Sequence, residues 1–395
     1  MPTGPSSGDG GALADRVGER FLTPTVVERP GEDVFVALRD LTFAKGRFAL
    51  MGGVIVLITL LVGLLSGLTA GLARENVSAV TSLPADRIAF AAPSGGQDLS
   101  YADSTVSEDQ WRRWAQAPGV RRAEPLGITT TRATAGDRST GVFVFGVEPG
   151  SHLAPDGARV DDRTVLVPRS VAGELGAREG DTVALAGRRL TVALTGHDVS
   201  FSHTPVVWTS LGTWQAVAPP AGGTDGPTAT VIALDTASGA GIAAADRAAG
   251  TETVTKDASL SAIGSYTSEN GSLQLMRGFL FAISALVVGA FFTVWTIQRS
   301  GDVAVLKALG ATTAGLLRDA LGQAVVLLTG GTLIGIAGAA ALGAAVSGSG
   351  VPFVLTPATV LVPAAVMILL GGLGAGLAVR RITSVDPLTA LGSAR

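Results

Sequence analysis

Three long runs without a charged residue divide this chain into membrane and non-membrane segments. The runs cover 48–73, 278–298 and 320–379, and the last is broken in its middle by a Gly/Ser/Pro-rich stretch. A helix that crosses the hydrocarbon core needs about 20 apolar residues, so the first two runs each hold one transmembrane helix and the third holds two. We therefore predict transmembrane helices at 48–73, 277–298, 320–346 and 357–379, with a short outer loop at 347–356.

The segment between the first two spans, 74–276, has the polarity of a soluble domain and mixed strand and helix patterns. Residues 141–147 (GVFVFGV) alternate around aromatic side chains, as a strand does. The order strand, helix, turn and hairpin across 164–192 predicts a small mixed sheet, and a predicted helix at 106–117 carries two tryptophans. Residues 259–271 are expected to form a stalk that returns to the membrane. The segment is predicted to be an α/β domain.

Basic residues beside the spans indicate the orientation. Arginine and lysine flank the spans at 39–47, in the loop 299–319 and at 380–381, whereas the loop 347–356 has no charge. The positive-inside rule places such basic flanks in the cytoplasm, so both termini are expected there. The predicted fold class is an integral protein of the cell membrane, with four transmembrane α-helices and a large extracytoplasmic α/β domain inserted between helices 1 and 2.

The two ends of the chain differ from the spans. Residues 1–33 are rich in Gly, Pro, Ser and charge and predict a disordered cytoplasmic tail. Residues 34–47 place apolar residues at helical spacing among bases, which predicts an amphipathic juxtamembrane helix on the inner membrane surface. A simple extension of the first span is the alternative. Residues 380–395 are expected to form a second cytoplasmic tail.

The composition excludes several classes of function. The chain is 47% hydrophobic with a mean hydropathy of +0.43, which is typical of a membrane protein. A net charge of -3 gives no electrostatic reason to expect nucleic acid binding, and the absence of cysteine excludes thiol chemistry. No lysine lies in a GxxxxGK[ST] context, so the chain has no Walker A loop for ATP. We expect no catalytic residue and no cofactor of the chain's own.

The histidines are the side chains that most invite a metal interpretation. His197, next to Asp198, and His203 lie near a strand end. Two histidines without a cysteine or a nearby carboxylate cluster make a poor metal site, so a structural role is favoured and no metal is predicted. HExxH is absent, and the GxSxG match at 4–8 lacks the strand–turn–helix context of a nucleophile elbow.

Small residues recur at every fourth position of the first span. Gly63, Gly67 and Gly71 form a doubled small-xxx-small pattern, which lets helix backbones approach closely. The pattern predicts a tight helix–helix interface, either within one chain or across a dimer. Generic packing in a glycine-rich span is the alternative.

The cytoplasmic loop at 299–319 carries the most specific motif in the chain. Ser300 is positioned to cap a short helix, Gly310 to end it, and Thr312 or Thr313 to cap the next one. An apolar helix fixed at the membrane surface is what a soluble partner would bind, and an ordinary amphipathic connector is the alternative. The candidate contact residues are Asp302, Val303, Leu306, Lys307, Leu309 and Gly310.

The loop sequence 299–313 (RSGDVAVLKALGATT), the four-span layout and the ending 380–391 (RRITSVDPLTAL) resemble the FtsX-like permeases. These are the membrane subunits of mechanotransmission-type ABC transporters. The resemblance covers most of the chain and implies a homodimer that binds an ABC ATPase subunit at the cytoplasmic face. The candidate contact residues of the loop would then meet the ATPase, ATP would act only through that partner, and its movement would pass to the outer domain.

Two further segments, 39–52 and 202–208 (SHTPVVW), resemble a Gram-positive branch related to haem exporters. Haem needs an axial ligand such as His, Met, Tyr or a carboxylate. Glu75, Tyr266 and Met276 are the candidate substrate residues near the outer membrane surface. A position at the membrane–water interface, without a role in substrate binding, accounts equally well for the presence of Glu75 and Met276.

The predicted function is that of an ABC transporter permease without enzymatic activity. It would couple ATP hydrolysis by a separate subunit to export of a hydrophobic or amphipathic substrate, with haem as one candidate. The alternative is a signalling subunit whose outer domain activates an extracytoplasmic partner such as a cell-wall hydrolase. A cleft between membrane helices would favour transport, and an exposed apolar patch on the outer domain would favour a protein partner. The expected partners are the ATPase, a second copy of the chain and membrane lipid.

Overall fold

The computed structural model describes residues 45–218, 227–298, 300–346 and 351–383. The predicted tail at 1–33 lies outside the described residues. So do the predicted juxtamembrane helix, except for its residues 45–47, and most of the predicted C-terminal tail.

The described residues form helices and strands that alternate along the middle of the chain. The helices are α1 (Lys45–Thr81), α2 (Glu108–Ala115), α3 (Arg169–Leu175), α4 (Leu211–Val217), α5 (Ile242–Ala249), α6 (Lys256–Ser259), α7 (Tyr266–Gln298), α8 (Ser300–Ala308), α9 (Thr313–Val346) and α10 (Pro357–Thr383). The strands are β1 (Arg87–Ala91), β2 (Val106–Ser107), β3 (Val120–Ala135), β4 (Arg138–Val147), β5 (Thr164–Pro168), β6 (Thr182–Leu185), β7 (Arg188–Thr195), β8 (Ser200–Phe201), β9 (Thr204–Ser210), β10 (Thr228–Ala229), β11 (Val231–Thr236) and β12 (Thr251–Thr255). Short 3-10 turns lie at Pro155–Gly157 and Leu260–Ala262.

Four helices, α1, α7, α9 and α10, are long and apolar enough to cross a membrane. With the α/β domain between α1 and α7, they confirm the predicted fold class. All four extend beyond the charge-free runs, and two of them extend toward the outer domain, because α1 continues past Arg74 to Thr81 and α7 begins at Tyr266, before Arg277. A charged side chain does not interrupt the backbone hydrogen bonds of a helix. Both helices therefore extend into the outer domain, and the predicted stalk at 259–271 is helical from Tyr266 onward.

The membrane helices form a bundle around α1, which packs against α7, α9 and α10. Helix α10 in turn packs against α7 and α9. The buried side chains that these helices share are Met51, Ile55, Val288, Phe292, Trp295, Ala324, Leu328 and Ala375. Hydrocarbon is as apolar as leucine, so close packing rather than burial from water holds such helices together.

The outer domain is built on one ten-stranded mixed sheet in the order β12-β1-β11-β3-β4-β9-β5-β7-β6, with β8 paired to β9. Strand β6 also pairs with β3, so the path from β3 through β4, β9, β5, β7 and β6 closes on itself. The β4–β9 and β5–β7 pairs are parallel, and the others are antiparallel. The predicted strand, helix and hairpin at 164–192 are present in a mixed sheet, but the sheet is not small, because β5 and β6 also pair with strands from distant parts of the sequence.

Apolar side chains cover both faces of this sheet. Val144 and Phe145, which are neighbours on β4, belong to separate buried clusters, as alternation along a strand requires. The predicted helix at 106–117 is confirmed as α2, with Trp111 and Trp114 buried. Its first turn begins later than predicted, because Ser107 forms part of β2 and then caps the helix, with its N–H donating to Gln110 Oε1 at 2.8 Å.

Candidate functional site

A tight turn at the end of β8 connects the outer domain to the first membrane helix. Ser202 and His203 occupy the turn between β8 and β9 with φ values of 49° and 61°, as a two-residue hairpin turn with left-handed backbone requires. The backbone N–H of Ser202 donates to the carbonyl of Asn76 at 2.9 Å, and that of His203 donates to the carbonyl of Glu75 at 3.2 Å. Residues other than glycine are rarely left-handed, so contacts with α1 help to hold this turn.

Side chains from three elements meet beneath the turn. Asn76 of α1 donates through Nδ2 to Ser265 Oγ at 3.1 Å and to Glu269 Oε2 of α7 at 3.0 Å. His203 Nε2 donates to the same Glu269 oxygen at 2.6 Å, and its Nδ1 lies 4.0 Å from Glu75 Oε2. We call Glu75, Asn76, His203, Ser265 and Glu269 the junction cluster. It links the outer ends of the first two membrane helices to one hairpin of the outer domain.

The structure places carboxylates beside both histidines, although the sequence shows no carboxylate cluster near them. His203 contacts two glutamates in the junction cluster, and His197 Nδ1 lies 2.9 Å from Asp156 Oδ2 at a separate place. Among the residues that the structure describes, no group of three His, Cys, Asp or Glu side chains is arranged to hold a metal ion. The two glutamates beside His203 come from membrane helices that are distant from the turn in sequence, so the sequence did not indicate their proximity.

The three candidate substrate residues do not lie together in the structure. Glu75 belongs to the junction cluster, whereas Tyr266 packs partly buried against the core of the outer domain. Met276 is exposed on α7 at about 15 Å along the helix axis from Tyr266. It lies seven residues, close to two full turns, after Glu269, so it shares the side of α7 that carries the junction cluster. Sequence analysis did not identify Asn76 or Glu269 as site residues. The seven-residue spacing from Glu269 to Met276, which places both on one side of a helix, is the signal that could have identified Glu269.

The loop at 299–319 forms the short helix that its sequence predicts. Helix α8 covers Ser300–Ala308, and Gly310 follows with a left-handed φ of 98°. The N–H of Ala311 donates to the carbonyl of Leu306 at 2.9 Å, and Thr312 Oγ1 accepts from the N–H of Gly315 at 3.2 Å, which caps α9. Gly310 thus lets the chain turn sharply between two helices.

Exposed apolar side chains mark this helix. Val305, Leu306 and Leu309 are 60%, 45% and 79% exposed. Asp302 and Val303 lie within α8, but their side chains are outside what the structure describes. The helix therefore offers an apolar surface with no partner among the described residues.

The glycines of α1 lie at close contacts within one chain. A Cβ built on Gly63 would lie 2.8 Å from Ala339 Cβ of α9, one on Gly67 would overlap the ring of Phe353, and one on Gly71 would overlap the carbonyl of Pro352. Phe353 precedes α10 in the short loop between α9 and α10. The glycines thus allow this loop and α9 to pack closely against α1. A glycine-mediated dimer contact stays a prediction.

Comparison with known proteins agrees with this architecture. Residues 275–387 match the family described as FtsX-like permease C-terminal. A putative hemin transport system permease protein of Staphylococcus haemolyticus is 24% identical over 364 residues, which cover 90% of this chain and 99% of the relative. An uncharacterized ABC transporter permease of Mycobacterium bovis is 27% identical over 379 residues, which cover 91% and 99%.

Among solved structures, the chain is similar to the extracellular domain of the noncanonic ABC-type transporter YknZ from Gram-positive bacteria. The match has 13% identity and a TM-score of 0.31, and it covers 43% of this chain and 99% of that one. The family match at 275–387 includes α8 and three of the membrane helices, and both permease relatives extend over nearly the whole chain. Residues 275–387 thus match the C-terminal region of the FtsX-like permeases, and the chain as a whole is similar to ABC transporter permeases.

Proposed function

We propose that this permease couples ATP hydrolysis by a separate ATPase subunit to export of a hydrophobic or amphipathic substrate, and that haem is that substrate. The observation that carries the proposal is the continuity of α1 and α7. Each runs without a break from the membrane into the outer domain, where the junction cluster ties both to the β8–β9 hairpin. A shift or tilt of either helix would therefore displace the hairpin directly.

The ATPase contact is assigned to α8. Its exposed Val305, Leu306 and Leu309 would be buried by a groove on the ATPase, and burying apolar surface stabilises a complex. By the family resemblance, Asp302, Val303, Lys307 and Gly310 belong to the same contact. Without a Walker A loop, this chain uses ATP only through that partner and catalyses nothing itself.

The position of the ATPase contact on α8 implies the orientation of the chain in the membrane. An ATPase in the cytoplasm requires α8 and both termini inside, and the outer domain and the 347–356 loop outside. Basic residues beside the spans support the same arrangement. Reporters fused after residue 20, at 311 and at the C-terminus should report cytoplasm, and fusions near 150 and 349 should report the outside. A cytoplasmic signal at 150 would refute this orientation.

Haem is proposed because of the relatives that are named hemin transport permeases and because of the donors at the outer ends of α1 and α7. Glu75 and Met276 are both solvent-accessible, and each carries a group that can ligate haem iron. Tyr266, at the start of α7, packs against the core of the outer domain away from Met276, so no haem contact is assigned to it. Exposed apolar side chains on α1 and α7 suit a second copy of the chain or lipid, so a homodimer would enclose the substrate between two such pairs of helices.

The signalling alternative is disfavoured by the distribution of exposed apolar side chains. Every large hydrophobic side chain that is exposed among the described residues lies in 50–61 or 275–377. Those segments contain the membrane helices, α8 and the short loop before α10. The described part of the outer domain has no such patch for a protein partner, whereas the membrane helices have extensive apolar surface.

The direct test is haem export by cells that express the permease together with its ATPase. Wild-type cells should accumulate less haem than cells without the pair, in a vanadate-sensitive manner, and Glu75→Ala with Met276→Ala should remove most of the difference. Glu179→Ala, which removes an exposed carboxylate elsewhere on the outer domain, is the control and should export normally. If the pair hydrolyses ATP but wild-type and vector cells accumulate equal haem, haem is not the substrate.

A further inference from the structure

Helix α7 carries one arginine, Arg277, at the outer end of its charge-free run. The 21 residues from Gly278 to Gln298 contain no charged side chain. A helix rises about 1.5 Å per residue, so this stretch spans about 31 Å, close to the thickness of the hydrocarbon core. With Gln298 at the inner boundary of the hydrocarbon, Arg277 therefore lies at the outer boundary.

Arg277 leaves α7 on the side that faces the other membrane helices. Successive residues of a helix are about 100° apart, which places Arg277 within about 20° of Ser284 and Val288 and in line with Trp295. Those three side chains are buried. Phe279, about 200° around the axis from Arg277, is 60% exposed. The helix thus directs Arg277 toward the outer end of the bundle and not outward to lipid.

The guanidinium of Arg277 has an aromatic ring on its membrane side and open donors at its tip. Its Cζ lies 5.6 Å from the ring centroid of Phe281, one turn further into the membrane. Nε is enclosed without a hydrogen-bond partner, whereas the terminal nitrogens Nη1 and Nη2 are not enclosed, and no hydrogen bond joins them to a described residue. A planar pair of terminal donors matches the two oxygens of a carboxylate.

No carboxylate among the described residues neutralises Arg277, since none of their ion pairs includes it. The runs 48–73 and 320–379, which supply the membrane parts of α1, α9 and α10, contain no Asp or Glu. The nearest acidic residue on α7 is Glu269, about 12 Å along the axis, and it belongs to the junction cluster, as does Glu75. A charge at the edge of the hydrocarbon that its own chain leaves unpaired indicates a functional contact.

Arg277 directly follows Met276, the proposed ligand of the haem iron. The two side chains leave α7 about 1.5 Å apart along the axis and about 100° apart around it. Haem has an apolar ring and two propionate carboxylates, which are ionised at neutral pH. A haem whose iron reached Met276 would therefore have its carboxylates at the level of the membrane where Arg277 lies.

We propose that Arg277 is the anion-binding residue of the transport site and selects amphipathic substrates that carry a carboxylate, which in haem is a propionate. The inference rests on the proposed function and narrows its substrate class from hydrophobic or amphipathic molecules to anionic ones. Nη1 and Nη2 donate to the carboxylate, and Phe281 supports the guanidinium from the membrane side. A neutral analogue would cover the guanidinium without neutralising it, which lowers affinity.

The probes are haem and haem dimethyl ester, which share the ring and the iron and differ in the two carboxylates. Binding to the full chain in lipid nanodiscs is measured by absorbance titration, with empty nanodiscs subtracted. Wild type should bind haem roughly tenfold or more tightly than the ester, the value of a hydrogen bond to a charged group.

Four variants separate the charge from the iron ligand. Arg277→Gln removes the charge and should make the two affinities equal, whereas Arg277→Lys keeps the charge and should restore most of the preference for haem. Met276→Ala should weaken binding of both probes alike and leave their ratio unchanged, because both contain the iron. Arg188→Gln, which removes an exposed arginine from the hairpin between β6 and β7, is the control and should behave as wild type.

The outcomes distinguish this inference from the proposed function. Saturable haem binding with equal affinity for the ester would overturn the role of Arg277 and leave haem as the substrate. A haem preference that Arg277→Gln retains, together with a lower thermal unfolding midpoint in the nanodisc, would assign Arg277 to a lipid phosphate and also overturn it. The absence of saturable haem binding to wild type would refute both the haem proposal and the role of Arg277.

Discussion

Replacing Leu306 with aspartate tests the proposed contact between α8 and the ATPase most directly. In the single chain, Leu306 is 45% exposed, and Val305 and Leu309 beside it are 60% and 79% exposed. A polar side chain at Leu306 therefore loses little packing within the permease. We expect the variant to insert and fold as wild type does.

The same change should be severe in the complex. Full burial of a leucine side chain contributes about 1.5–3 kcal/mol, so the exposed portion of Leu306 would contribute about 1 kcal/mol to binding. A carboxylate forced into the same apolar groove without a partner adds a cost of roughly 3 kcal/mol. The sum of about 4 kcal/mol corresponds to a loss of roughly a thousandfold in affinity.

The assay is titration of the purified ATPase onto the permease in nanodiscs, read as ATPase binding and as vanadate-sensitive hydrolysis. Ala308→Asp is the matched control, because it adds the same charge to the same helix about 200° around its axis from Leu306. It should weaken binding less than tenfold. Wild-type affinity for Leu306→Asp, or equal losses in the two variants, would refute α8 as the ATPase contact.

Three further changes test the turn, the glycine contacts and the junction. Gly310→Val forces a β-branched residue to a φ of 98°, which should cost about 1–3 kcal/mol of backbone strain. The variant should bind the ATPase more weakly without unfolding the bundle, measured by pull-down at equal membrane levels. Gly67→Ala overlaps the Phe353 ring and should lower the thermal unfolding midpoint, whereas Gly53→Ala, in open space on the same helix, should not. Asn76→Ala removes its hydrogen bonds to Ser265 and to Glu269 of α7 and should reduce haem exported per ATP hydrolysed while hydrolysis continues. An unchanged ratio would argue against the junction as the relay.

Local sequence patterns predicted several short elements of the chain well. The strand at 164–168, the helix with its two tryptophans and the turn at Gly310 each depend on residues that are close in sequence. Hydrophobic periodicity, capping residues and glycine conformational freedom act over a few positions, so one chain segment contains all the information they need.

The junction cluster could not be predicted in this way. Asn76 and Glu269 are 193 positions apart, and His203 joins them from a third element. Neither glutamate stands in a recognisable motif, and the turn at Ser202 and His203 has no glycine to mark its left-handed backbone. The sheet has the same character, since β3 pairs with β4, β11 and β6 from three different regions of the chain.

The sequence by itself determined the number of membrane helices, the place of the inserted domain and the short helix α8. These features follow from the cost of placing a charge in hydrocarbon and from local backbone preferences. Both can be read directly from the local sequence. Only the tertiary structure decided how far α1 and α7 extend beyond the membrane and which carboxylates surround His203. Those features depend on side chains that meet after long-range packing, and a side chain's partners are fixed by the fold rather than by its neighbours in sequence.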